Sequence, residues 1–440
     1  MDLATCLEAL TERMPESYER FAQDLPMAWV EMALKETGTA TVRRRRLPSE
    51  MVVWLVIGMG LYRDRPITDL IDKLDLALPT ATGKVMASSS IAEARARLGD
   101  AALESLFGKV AEAWGHGGAR AHAWRGLALY GVDGTTLRVP DSDENSVFFG
   151  RMGSKARGLS GYPILRMVTL MALRSRLLVG VEFGPNKASE VVYAEALWAK
   201  VPNQSLTLVD RGFFGARVLL GLTRSGAERH WLTRAKSNFK WEVIETFGRG
   251  DELVEMQVSS EARRKDPTLP KSWRMRAIRY QRPGSEPQVL LTSLVDPKAY
   301  SKAEVTALYH ERWELELGFD ELKTEMLNRE EAIRSRTVEG VHQEIWGLLI
   351  AYNLVRREME RVADEANVPP KQVSFVAAMR LVTDEWFWLA GTRTPGAIPK
   401  HLQRLREKLA RLILPDRRSE RTAPREVKIK MGNYPRKRPG

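Results

Sequence analysis

The chain is poor in the residues that build disulfide and metal frameworks. Its 440 residues include one cysteine, Cys6, which excludes an intramolecular disulfide and any Cys-x2-Cys zinc motif. The histidines, at 116, 122, 230, 310, 342 and 401, form no ligand-like pair, so a structural metal is not expected. The longest apolar run, "MVVWLVIGMGLY" at 51–62, falls short of the roughly 20 residues a bilayer span needs. No Gly-x4-Gly-Lys phosphate loop is present, which argues against an ATP-driven machine. No internal repeat is visible. The N-terminal "MDLATCLEALTERMPESYERF" is mixed in charge and helix-like, unlike a signal peptide. These absences point to a cytosolic, non-membrane protein of bacterial type.

What is abundant is positive charge. Lys and Arg number 68 against 56 Asp and Glu, a net charge of +12. Such an excess suggests an anionic partner, nucleic acid before acidic membrane. Half of it lies in the last 26 residues, from Pro415 to Gly440, where nine basic residues face three acidic ones. That segment is expected to be a basic, flexible tail. A second basic cluster is "RRRR" at 43–46. A solubilising or RNA-sticking patch is the competing, less favoured reading of each.

The pattern of the chain changes near residue 120. Residues before it read as helices, including "SSSIAEARARLGDAALESLFGKVAEAW", where Ser90 and Glu93 have the spacing of a capping box. The helix from Ile91, with Arg95 and Arg97, is compatible with a helix placed in a DNA groove or with any amphipathic surface helix. "GHGGARAH" at 115–122 reads as a linker. Beyond it, "GLALYGVD", "YPILRMVTLMAL", "RLLVGVEF", "SLTLVD" and "RHWLTRA" read as strands, with helices at 189–201 and from "FFGARVLLGLTRSG". This predicts an α/β fold, a mixed sheet flanked by helices. Residues 237–294 hold four strand-like runs split by turn signals, an antiparallel β insertion. A long helix is expected from Ser301, then two more near 336–366 and 371–390. The predicted organisation is a helical N-terminal domain over 1–120, a catalytic domain over 121–236 and 295–412, the insertion over 237–294, and the tail over 413–440. The loop 143–163, with Arg151, Lys155 and Arg157 among glycines, is either a mobile DNA-ordered segment or a long hairpin.

Two aspartates close predicted strands beside a glycine. Asp133 is followed by Gly134, and Asp210 by Arg211 and Gly212. A carboxylate at the carboxyl end of a strand, with glycine beside it, is placed for a metal; a turn-capping Asp is the competing reading. A third carboxylate is sought in "YHERWELELGFDELKTEML" at 309–327. At about 100° per residue, Tyr309, Arg312, Glu316 and Lys323 share an arc of about 60° beside an apolar stripe of Leu308, Leu315, Phe319, Leu322 and Met326. Glu311, Glu314, Glu321 and Glu325 fall mainly on outer faces, as solvated charges. His310 lies outside the arc and is not a candidate base. Three carboxylates can hold one or two divalent ions, and two such ions clamp the oxygens of an in-line phosphoryl displacement.

The spacing Tyr309-x2-Arg312-x3-Glu316-x6-Lys323 resembles the signature of the DDE transposases of the insertion sequence four family. "VDGTTLRVPDS" around Asp133 and "LVDRGFFG" around Asp210 are similar to that family's two aspartate motifs, in the same order. The segment from "RRRRLPSEM" to "IDKLDL" resembles its N-terminal domain. The resemblance spans most of residues 40–330. It implies a ribonuclease-H-like core with a β-rich insertion, and Asp133, Asp210 and Glu316 as ligands of Mg²⁺, for which Mn²⁺ can substitute. It implies cleavage at transposon ends by a metal-activated water, a DNA hairpin and strand transfer to target DNA. Tyr309, Arg312 and Lys323 would contact the DNA end, with Arg211 and Lys236 as lesser candidates or rim charges. An extruded hairpin base would stack on an aromatic side chain, with Trp241 and Trp273 as candidates; either can instead be a packing residue. Double-stranded DNA, both terminal inverted repeats and target, is the implied partner. A dimer on DNA and a nucleoid-associated, cytoplasmic location are also implied. The alternatives are a catalytically inactive, domesticated DNA-binding regulator and a ribonuclease-H-like endonuclease without strand transfer. The triad reading expects the three carboxylates to converge closely enough to share metal.

Overall fold

The computed structural model describes residues 25–41, 46–74, 76, 86–154, 158–236, 239–281, 286–328, 332–391 and 398–414. The basic tail from Pro415, Arg43 to Arg45, and Lys155 and Arg157 of the 143–163 loop lie outside the described residues. The chain forms two compact units. Among the described residues, one comprises residues 25–114, 138–148 and 319–414; the other comprises residues 115–137 and 149–318.

The first unit is helical. Its centre is the crossing of Ser49–Leu61 with the 29-residue helix Val338–Ala366. Ser49–Leu61 is buried nearly all round, from Val52 to Leu61, as its uniformly apolar sequence requires. Glycines let the two backbones touch. A Cβ on Gly347 would stand 2.6 Å from the Val56 carbonyl oxygen, and one on Gly60 would stand 3.0 Å from the Leu348 Cα. The buried carboxylate of Glu344 is paired here. Glu344 accepts hydrogen bonds from Arg63, from the Arg334 and Ser335 N–H groups and from the Ser335 hydroxyl. Burial alone would raise its pKa; Arg63 and Arg334 offset this, and the carboxyl is held below its ordinary value.

Three local expectations for this region are corrected. The helix carrying Arg95 begins at Ser88, and its N-cap position, Ala87, makes no side-chain cap, so the Ser90–Glu93 capping box does not form. Arg95 is no groove-reading residue: its guanidinium donates to Gln343, Ser335 and the Gly340 carbonyl. Arg97, on the outer face, is exposed. The 115–122 segment is not an open linker either, since Gly117–Ala121 is helical after a π-helical turn over Ala111–His116.

The second unit is built on one sheet. Its strands are β1 (Ala128–Arg138), β2 (Ile164–Ala172), β3 (Leu178–Pro185), β4 (Ser205–Val209), β5 (Arg229–Arg234), β6 (Glu242–Gly248), β7 (Asp251–Gln257), β8 (Ser272–Tyr280) and β9 (Gln288–Thr292). Their order is β3-β2-β1-β4-β5-β9-β8-β7-β6. β1 pairs parallel with β4, and β4 parallel with β5. β2 and β3 form an antiparallel pair. β4, "SLTLV", is buried at every residue, as a central parallel strand covered on both faces should be. Helices Glu190–Leu197 and Ala216–Arg224 join β3 to β4 and β4 to β5. This is the expected mixed sheet flanked by helices.

The inserted strands do not make a sheet of their own. β9 pairs antiparallel with β5, and β8, β7 and β6 follow antiparallel, so the insertion lengthens the main sheet. Arg276 on β8 ties it down with two bonds to Asp251 on β7, at 2.7 and 2.6 Å. In the 143–163 segment the hairpin reading holds only in part. The segment opens with a helix, Asp143–Phe149, and continues into a two-residue ladder between Gly153–Ser154 and Gly158–Leu159. Among the described residues, no helix is long and apolar enough to cross a membrane.

Candidate active site

The site starts from strand register. The parallel ladder of β1 and β4 ends at the pair Val132↔Val209. Asp133 and Asp210 are the next residues, on neighbouring strands about 4.8 Å apart. Asp133 does not close its strand as expected, because β1 runs on to Arg138. It stands instead where the ladder with β4 opens, and this keeps it level with Asp210.

Each aspartate also makes the turn contact of the competing reading. Asp133 Oδ1 accepts the Gly134 N–H at 2.8 Å, and Asp210 Oδ2 accepts the Gly212 N–H at 3.1 Å. Each contact involves one carboxylate oxygen. Asp133 is largely buried, and this raises its pKa to about 6, against the opposing pull of the Gly134 N–H and Arg312. The charges of Asp210 and Glu190 push it the same way as burial.

The third segment is a helical run that changes pitch. Ser301 caps it, accepting from the Glu304 N–H and donating to the Glu304 carboxylate. It is α-helical over Lys302–Tyr309, tightens to a 3₁₀ turn at His310–Arg312, returns to α over Trp313–Asp320 and widens to a π-helical turn over Glu321–Met326. Gly131 on β1 lets it dock: a Cβ there would stand 2.8 Å from Leu315 Cδ1 and from Leu173 Cδ2. Leu315 is fully buried.

Arg312 links the pieces. Its Nη2 donates to Glu316 Oε1 at 2.9 Å, and its Nη1 stands 4.0 Å from Asp133 Oδ2. Burial alone would lower its pKa, but Tyr309, Glu316, Asp210 and Asp133 outweigh that and raise it. Burial also raises the Tyr309 pKa, with Arg312 and Arg234 opposing. Among the described residues, no three His, Cys, Asp or Glu side chains form a ready-made metal cluster. The expected close convergence of three carboxylates is therefore replaced by carboxylates gathered around a guanidinium, which supplies the positive charge that like-charged groups need to approach. The donors present suit a hard divalent cation: carboxylate oxygens, one of them buried with too little positive charge nearby to keep its ordinary acidity.

Other residues of the same run differ from expectation. Lys323 falls in the π-helical turn, half-buried, in the helical unit. A single pitch of 100° per residue does not hold from Tyr309 to Lys323, so their predicted shared arc is not a straight helix face. Three of the four glutamates assigned to solvent have partners. Glu311 takes two bonds from Arg174, at 3.0 and 2.9 Å. Glu314 is paired with Arg176. Glu321 is buried and accepts from the Tyr352 hydroxyl at 3.0 Å. Arg174 and Arg176 come from the turn between β2 and β3, so they clamp the helix that carries Glu316. Only the pairing of "RSR" with "ERWE" across the fold could have revealed this, and a single sequence does not contain it.

Beside the insertion lies a cleft of about 800 Å³ lined by Arg211, Arg234, Lys236, Lys240 and Arg279, with Phe239 and Trp241 between them and one acid, Glu286. It brings Arg211 and Lys236 together and adds three cations the sequence reading passed over. The two tryptophans part company here. Trp241 lines the cleft, whereas Trp273 is buried against Trp231 and Phe214.

Comparison with known proteins gives two family matches. The insertion element 4 transposase N-terminal family matches residues 15–108, and the transposase DDE domain matches residues 125–354. The chain is 37% identical over 407 residues to transposase InsG for insertion sequence element IS4 of Escherichia coli K12, covering 92% of this chain and 91% of InsG. It is also 37% identical over 232 residues to the putative transposase InsZ of the same organism, covering 52% of this chain and 76% of InsZ. Among solved structures, a piggyBac transposase synaptic complex with hairpin DNA aligns at 13% identity with a TM-score of 0.41, over 92% of this chain and 85% of that one.

Proposed function

Because this chain belongs to the insertion element 4 family of DDE transposases, we propose that Asp133, Asp210 and Glu316 are its catalytic carboxylates. In this reading they hold Mg²⁺, or Mn²⁺ in its place. The protein then cuts the ends of its element, passes through a DNA hairpin and joins the freed 3′ ends to target DNA. The observation that carries the reading is the β1–β4 register, which sets Asp133 level with Asp210, with Arg312 reaching from Asp133 to Glu316.

When bound, the divalent cation would activate water as a nucleophile and neutralise charge on the attacking and leaving oxygens. The chain's own residues do the rest. Arg312, held fully charged by its acidic neighbours, can transfer from Glu316 to a phosphate oxygen of the DNA end. Tyr309, with its raised pKa, stays protonated and donates a hydrogen bond. Lys323 is assigned to the same DNA end. The cleft offers Arg211, Arg234 and Lys236 to the backbone, while Trp241 and Phe239 offer faces for an extruded base. Two copies on paired ends are expected, since joining needs both ends together. Arg97, exposed on the helix Ser88–Leu98, is a candidate contact of a DNA-binding N-terminal domain.

The test is cleavage and joining of a duplex bearing the element's terminal inverted repeat, with Mg²⁺. Asp133→Ala, Asp210→Ala and Glu316→Ala should each abolish cleavage and leave DNA binding largely intact. Full cleavage by the Glu316 variant would remove that residue from the set. Cleavage by the wild type without joined product would identify an endonuclease, and binding without cleavage a regulator.

A further inference from the structure

The cleft beside the insertion holds one polar side chain whose neighbours fix its orientation and leave it a hydrogen to donate. Gln288, half-buried at the first position of β9, lines the cleft. Strand register places it. Gln288 pairs with Tyr280 on β8, and Leu290, two residues on, pairs with Arg234 on β5. Alternate residues of a strand share a face, so Tyr280, Gln288 and Arg234 stand on one face of the sheet. The Tyr280 hydroxyl donates to Gln288 Oε1 at 3.0 Å, and Arg234 Nη1 donates to the same oxygen at 3.5 Å. His310 braces the Tyr280 ring edge-on, at 5.8 Å between centroids. A guanidinium only donates, so the atom facing it is the amide oxygen, and the amide nitrogen turns away. Among the described residues, that nitrogen has no hydrogen-bond partner.

The surroundings define what the nitrogen can meet. Arg211, Lys236 and Lys240 line the same cleft and make no ion pair among the described residues. Cations without carboxylate partners suit a nucleic-acid backbone, and the rings of Trp241 and Phe239 suit an unpaired base. Glutamine ordinarily reads adenine by a bidentate pair, its oxygen accepting from the N6 amine and its nitrogen donating to N7. Here the oxygen is already engaged by two donors, which leaves the nitrogen alone to read. A lone donor favours a base carbonyl oxygen and opposes an amine.

We infer that Gln288 reads the unpaired base in this cleft, donating from its amide nitrogen to a base carbonyl oxygen and discriminating against adenine. The inference rests on the reading of the cleft as the seat of an extruded base and adds what that seat selects.

The test uses the full-length protein and the element's terminal-repeat duplex with one unpaired nucleotide at its end. That nucleotide carries hypoxanthine, adenine or no base. The two purines share a size and differ chiefly at C6, a carbonyl in one and an amine in the other. The wild type should bind the hypoxanthine end about tenfold more tightly than the adenine end. Gln288→Glu keeps the shape, turns the donor into an acceptor and should abolish or reverse that ratio. Its added charge weakens both complexes alike and cancels in the ratio, and thermal melting controls for the fold. Wild-type binding that is equal for the two purines, or favours adenine, with both above the abasic end, would overturn the inference and leave the cleft as a base site. No gain from either purine over the abasic end would remove the base-seat reading and this inference with it. An equal loss on all three ends in Gln288→Glu, with the purine ratio unchanged, would reduce Gln288 to a brace for Arg234 and overturn the inference.

Discussion

Asp133 is where the physics of a single residue is sharpest. Its pKa of about 6 means that the folded protein holds a proton that the unfolded chain has already released, between about pH 4 and 6. Stability therefore falls as pH rises through that window, and above it the buried carboxylate costs up to about 3 kcal/mol. Asp133→Asn removes the cost. Without divalent cation, its melting temperature should exceed the wild type's most at pH 7–8, and the excess should shrink as pH falls through the window and vanish below about pH 4. A difference that does not change with pH would mean that Asp133 is not the titrating group. The level placing of the two aspartates was legible in the sequence, because an apolar run followed by Asp-Gly or Asp-Arg-Gly is a local pattern, although Asp133 does not end its strand. The neighbouring Glu190 was not. Nothing in "SEVVYAEAL" says that its first carboxylate meets Gly134, because that contact exists only once β3, its helix and β1 are packed.

Elements were legible wherever their period was undisturbed. The five core strands and the four strands of the insertion fall close to where alternation and apolar runs set them. The helices Val338–Ala366 and Phe375–Gly391 also lie close to expectation. Legibility failed where packing altered the pitch. The 3₁₀ and π-helical turns flanking Trp313–Asp320 let one run satisfy Leu315 against Gly131, Glu311 and Glu314 against Arg174 and Arg176, and Arg312 against Glu316. A uniform wheel cannot represent that compromise. The insertion supplies a test at this scale. Trp273 is 5% exposed in an aromatic cluster, so Trp273→Ala should destabilise the protein by about 3–5 kcal/mol. Trp241 lines the cleft, so Trp241→Ala should leave the melting temperature nearly unchanged and lower the yield of hairpin-ended DNA. A reversed pattern, with a stable Trp273 variant and an unfolding Trp241 variant, would assign the base platform to Trp273.

Charge is the property of the whole molecule, and it was readable from composition alone. Of the net +12, half belongs to the segment from Pro415 to Gly440, with nine basic and three acidic residues. The cations of the cleft are fixed by strands and turns, and in the proposed function they meet defined phosphates. Those of the terminal segment sit among Pro and polar residues with few apolar groups, so their contribution is long-range and sequence-independent. Each phosphate that a protein ceases to neutralise makes the dependence of log K on log salt shallower by about 0.9. A chain ending at Leu414 should therefore bind random duplex DNA more weakly, with a salt slope shallower by several units. Its preference for terminal-repeat DNA over random DNA should rise, because the uniform contribution shrinks while the fixed contacts remain. Binding isotherms on both duplexes across a salt series measure this directly. An unchanged slope would mean that the terminal cations do not touch DNA and that the cleft and the helical unit carry the whole electrostatic contribution.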